Sequence, residues 1–99
     1  MEMNENKKTK AFYEKLKSQL YDTSLWPSEY LYKFIVKSDS DQVVALEDLF
    51  NHLGAVIKTT ESTKGTYTSV SISVKMETPE HVIEKYIEVS EKIEGVISL

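Results

Sequence analysis

Ninety-nine residues with sixteen acidic side chains against twelve basic ones carry a formal net charge of −4, and 40% of the side chains are hydrophobic. That is one domain with a single modest core, and the sign of the charge disfavours nucleic acid as a partner. The chain has no cysteine, which excludes disulfides, thiol nucleophiles, iron–sulfur clusters and cysteine-type zinc sites together. It also has no arginine, the side chain best suited to bidentate recognition of phosphate and of guanine edges.

No apolar run approaches the roughly 20 residues of a membrane span. The polar start lacks the apolar core of a signal peptide, so the expected location is cytoplasmic. Residues 1–8 are charged and read as a disordered tail. Residues 9–28 read as a helix and a linker. The helix, Thr9 to Tyr21, repeats Phe12, Leu16 and Leu20 every four positions, with Tyr13 beside them. The linker is D-T-S-L-W-P-S, in which Pro27 pushes Trp26 towards an extended backbone. Trp26 reads as a cap on the edge of the core, with a partner anchor as the alternative.

Residues 29–99 read as the main domain. Glu29 to Lys37 is its first strand, with Tyr32, Phe34 and Val36 facing helices and Lys33, Ile35 and Lys37 facing away. Ser38 to Asp41 opens a helix that reaches Leu53, with Asp39 and Gln42 spaced as a capping box. Val43, Leu46, Leu49, Phe50 and Leu53 form its buried stripe, and Gly54 stops it. Ala55 to Ser62 is a second strand, Lys64-Gly65 a turn, and Thr66 to Met76 a third strand. In the third, Val70, Ile72, Val74 and Met76 alternate with Ser71, Ser73 and Lys75, the period of a strand with one greasy face. Thr78-Pro79 starts a second helix as N-cap and first helical residue. Its apolar face is Val82, Ile83, Tyr86, Ile87 and Ile93. Gly95 ends it, and Val96 to Leu99 is a short last strand.

This order predicts an α+β fold: a ferredoxin-like βαββαβ two-layer sandwich with an extra N-terminal helix. The sheet is antiparallel, in strand order 4-1-3-2, with both domain helices on one face. The other face is then open.

Catalytic chemistry finds little to use. His52 and His81 lack the second ligand of a metal motif. Ser69, Ser71 and Ser73 have no nucleophile elbow around them and no histidine base nearby in sequence. The turn Lys64-Gly65-x-Tyr67 resembles part of an RNA-binding signature, but only one aromatic points outward and no arginine accompanies it. The reading is a non-enzymatic module with no cofactor. Its candidate site is the open face, with Lys33 and Lys64 attracting an anion, Tyr67 stacking or covering, and Ser69 and Ser71 hydrogen-bonding. Asp39 and Asp41, in the loop after the first strand, form a secondary patch. The alternative is a protein–protein or dimerisation module without a small ligand, for which the second strand is the exposed edge.

The run Thr63-Lys64-Gly65-Thr66-Tyr67-Thr68-Ser69-Val70-Ser71-Ile72-Ser73-Val74 resembles the signature of the YbeD-like family of uncharacterised small bacterial proteins. Tyr32 to Lys37 and Val96 to Leu99 fit the same family. The resemblance covers residues 29 to 99. It implies a fold like that of ACT-type regulatory domains, which bind amino acids and other effectors at subunit interfaces. It therefore implies a regulatory role, with an unknown protein or a small anionic or amino-acid-like effector as partner, and a possible homodimer.

Overall fold

A computed structural model describes residues 2–38 and 41–99. The elements are α1 (Glu2–Thr23), β1 (Ser28–Lys37), α2 (Gln42–Phe50), β2 (Val56–Glu61), β3 (Tyr67–Met76), α3 (Pro79–Lys92) and β4 (Ile97–Ser98). A single 3-10 turn, Asn51–Leu53, extends α2. The four strands form one antiparallel sheet in order β2-β3-β1-β4, the expected order read from the other edge.

The period-two pattern sets both faces of the two central strands. β1 pairs with β3 over ten positions, from Ser28 opposite Met76 to Lys37 opposite Tyr67. Tyr32, Phe34, Val36, Val70, Ile72, Val74 and Met76 all fall on one side and are buried. Leu46 and Phe50 of α2, Val82 and Val89 of α3, and Ile93 just beyond it close over them. Each large side chain removed from water contributes on the order of 1.5–3 kcal/mol.

The helix starts divide. Thr78 caps α3 as expected: its side chain accepts from the His81 N–H at 3.2 Å, with Pro79 in the first turn. α2 begins at Gln42, and its N-cap Asp41 makes no side-chain capping bond. The expected capping box needed Asp39, which lies outside the described residues. Gln42 instead accepts from the Lys37 N–H and donates to the Glu94 carbonyl, tying α2 to the end of β1 and to the chain after α3. The stripe of α2 is also narrower than the periodicity suggests. Leu53 is exposed on the 3-10 turn, and Ile87 of α3 is likewise exposed. Gly54 ends the turn at φ +75°, a backbone that L side chains adopt only with strain.

α1 begins at Glu2, so the stretch expected as a disordered tail enters the helix. The helix packs on α3, in the helical layer. Tyr13 stacks over Tyr86 with ring centroids 6.2 Å apart, and the Tyr21 hydroxyl donates to the Glu80 carboxylate. Leu20 and Trp26 pack against the core, and the Trp26 indole N–H donates to the Leu20 carbonyl at 3.1 Å. The inward stripe is Tyr13, Leu16 and Leu20, while Phe12 is exposed. α1 thus lies against α3, and the sheet face opposite is left without a layer.

Candidate functional site

Register assembles the open face from rows that cross the strands. Paired residues of adjacent strands point to the same side, so each row can be followed outward from the odd-numbered residues of β3. Lys58 of β2, Ser71 of β3 and Lys33 of β1 form one row. Thr60, Ser69, Ile35 and Ile97 form the next, spanning all four strands. Val56, Ser73 and Leu31 lie on the other side of the lysine row. Tyr67 faces Lys37 at one end of the sheet, and Lys75 faces Glu29 towards the other. Leu99 follows along β4, its N–H donating to the Lys33 carbonyl at 2.9 Å.

The expected site residues are therefore only partly gathered. Lys33 and Ser71 are direct neighbours, and Ser69 is in the adjacent row. Tyr67 pairs with Lys37, four positions along β1 from Lys33, which is about 13 Å of strand. Lys64 sits in the turn beyond the pleat. That turn is held by the Gly65 N–H on the Ser62 carbonyl at 2.9 Å and the Tyr67 N–H on the Ser62 hydroxyl at 3.2 Å. Asp41 stands at the N-cap position of α2, in the helical layer, without a side-chain capping bond, and Asp39 lies outside the described residues. The loop between them and β1 is anchored to β3, with the Ser38 and Thr68 hydroxyls 2.6 Å apart.

Sequence reasoning missed Lys58, which completes the lysine row, and undercounted the apolar groups. Leu31, Val56, Ile97 and Leu99 are all more than half exposed. The parity of β1 contained Leu31. The orientation of β2 and β4 depends on pairing partners, which no local pattern reveals.

The face thus has two halves. On the β1–β4 side, Leu31, Ile35, Ile97 and Leu99 surround Lys33. On the β2–β3 side hydroxyls and lysines predominate, with Val56 at the edge and Tyr67 at one end. Across the whole face Lys33, Lys37, Lys58 and Lys75 stand against one acid, Glu29, in a chain whose net charge is −4. Two concavities border α3, one of about 760 Å³ between it and α1 and one of about 590 Å³ between it, the 3-10 turn and the end of β3. Of the open-face residues, only Lys75 reaches either of them.

The family described as "Protein of unknown function (DUF493)" matches residues 23–97. The chain belongs to the DUF493 family. This is the family of the YbeD-like proteins, in agreement with the signature around the Lys64-Gly65 turn. The match also takes in the linker before β1, so the Trp26 cap is part of the DUF493 region. No curated protein and no solved structure matches the chain.

On the helical side of this DUF493 chain several charged and hydroxyl groups are paired. Lys85 donates to Glu88 and to the Leu49 carbonyl, both at 2.8 Å, and lies 5.4 Å from the Phe50 ring centroid. Its hydrogen bond holds the Glu88 carboxyl below the usual carboxylate range, with Lys92 adding to the effect. The Tyr21 hydroxyl does the same for Glu80. Beneath them the Tyr30 and Tyr86 hydroxyls meet at 2.8 Å, and Tyr32 donates to the Val82 carbonyl at 3.0 Å. Burial first, and neighbouring tyrosines second, push Tyr32 and Tyr86 well above the ordinary phenol range. These groups are occupied in holding the layers together. Among the described residues no three His, Cys, Asp or Glu side chains gather as metal ligands do, and no helix is long and apolar enough to cross a membrane.

Proposed function

We propose that the protein is a non-enzymatic binding module, that its working surface is the open sheet face, and that the principal partner is a protein. One observation carries the reading. A four-strand face with exposed Leu31, Val56, Ile97 and Leu99 is left bare by an N-terminal helix that packs on the other layer. Contiguous apolar surface on a small protein marks interaction sites. Small ligands take concave pockets, and the two concavities described above lie beside α3 rather than on this face. A regulatory role of the ACT type fits the same surface by fold analogy alone.

The test is site-specific photo-crosslinking in the native host. A photoreactive residue at Ser71 yields a discrete protein adduct, and one at Glu84 on α3 does not. Lys33→Glu with Lys58→Glu removes the adduct without lowering the melting temperature. Identical adducts from both positions, or none from Ser71, sink the reading.

A second reading rests on the Lys58–Ser71–Lys33 row. Two ammonium groups sit two strand spacings apart, about 9.6 Å at the backbone, with a hydroxyl between them. A small anionic or amino-acid-like effector bridges such a row. The measurement is thermal melting against carboxylate and phosphate ligands at matched ionic strength. A rise abolished by Ser71→Ala and Lys58→Ala supports it, and a flat response removes it.

A further inference from the structure

Resting on that reading, we infer that the open face takes an amphipathic α-helix of the partner, apolar on one side and acidic along its flank. The division of the face argues for this shape. Leu31 and Ile35 lie four positions apart along β1, about 13 Å of strand. That length matches about nine residues of helix at 1.5 Å per residue. Ile97 and Leu99 widen the track by one strand, to a width that a helix about 10 Å across covers. The occupant's apolar stripe finds four aliphatic side chains on the β1–β4 half, against Val56 alone on the β2–β3 half.

Charge selects the flank. A helix seated over β1 and β4 turns one flank towards β3 and β2, where Lys75 and Lys58 stand, and crosses Lys33 at its centre. Neither Lys33, Lys58 nor Lys75 has an ion pair among the described residues. Glutamates on that flank find cations, and lysines there meet like charge. The same argument disfavours a second copy placed face to face, since each lysine row then opposes another. A third layer on the bare face completes an α/β/α sandwich, with helices on both sides of the sheet.

The experiment uses the full chain, isotope-labelled, and two capped helical peptides of about 20 residues, long enough to hold helix in water. Both carry leucines at i, i+3, i+4 and i+7. One has glutamates on the flank, and the other has lysines in the same places. The expected result is amide shifts at Leu31, Lys33, Ile35, Lys58, Ser71 and Ile97 with the glutamate peptide. Its Kd weakens about ten-fold in the Lys33→Glu, Lys58→Glu variant, and rising salt weakens it further. Equal binding of the lysine peptide overturns the inference. So do shifts confined to the groove between Tyr13 and Ile87, the absence of shifts at millimolar peptide, or sedimentation of a dimer that buries the face. If the Ser71 adduct depends on Lys33 and Lys58 but the glutamate peptide leaves the face unshifted, the inference fails and the broader reading stands. If no adduct forms at Ser71, both fail.

Discussion

The two faces of one sheet are made from the same two strands and behave in opposite ways. On the helical side, Tyr32 and Phe34 of β1 meet Val70 and Ile72 of β3, and the polar groups buried there have partners. The buried hydroxyls of Tyr30, Tyr32 and Tyr86 are all hydrogen-bonded, and among the described residues no buried side-chain N or O is unsatisfied. On the open side, one residue along, Lys33 meets Ser71 and Ile35 meets Ser69, with water as their neighbour. The contrast separates stability from recognition within a ten-residue pairing. Changes on the first side alter folding. Changes on the second are expected to alter binding at the proposed surface and leave folding intact.

The sharpest test of this contrast compares Phe34→Ala with Ser71→Ala. Phe34 is fully buried against Tyr32 and Phe50. Its truncation is expected to cost about 3–5 kcal/mol, while Ser71→Ala stays within about 0.5 kcal/mol. Urea denaturation measures both, and equal losses break the distinction between the faces.

Alkaline titration probes the helical side next. Tyr32 and Tyr86 have folded pKa values raised above the ordinary 10.0. The folded state therefore holds their protons more tightly than the unfolded chain does. The resulting stability is fully present below pH 10 and is lost as pH rises through the folded values. Circular dichroism melts from pH 8 to 12 are expected to show this loss, with a shallower fall in Tyr86→Phe. A flat profile contradicts the packing of these rings.

The α3 cap gives a smaller effect. Thr78→Ala is expected to cost about 1 kcal/mol in the same denaturation experiment, and Thr78→Ser to restore most of it. An acid limb is smaller again. Glu88 has its pKa lowered, chiefly by Lys85, so its contribution is present above the usual carboxylate range and fades as pH falls through the folded value. Glu88→Gln flattens that limb of the melting curve, and an unchanged limb assigns the acid loss elsewhere.

The smallest effect on stability belongs to the surface with the largest proposed role. Lys33→Glu together with Lys58→Glu is expected to shift unfolding by no more than about 0.5 kcal/mol. A larger loss would show that these lysines support the fold, and the separation of the faces would then be blurred.

Local pattern settled much of this protein. The alternation from Val70 to Met76 and from Tyr32 to Lys37 set which side chains are buried. Lys64-Gly65 placed a turn, and Thr78-Pro79 started a helix. Those signals reside in neighbouring residues, where steric limits and hydrogen-bond geometry act over a few positions. Only the tertiary structure decided that Lys58 stands beside Ser71, that Ile97 joins Ile35, and that α1 turns Tyr13 rather than Phe12 inwards. Each of these depends on which distant segment pairs or packs with which, so burial and register across the whole chain select it. The open face shows both sources: its hydroxyls, its central lysine and the apolar residues of β1 follow from strand period, and the widening of its apolar half from the arrival of β4.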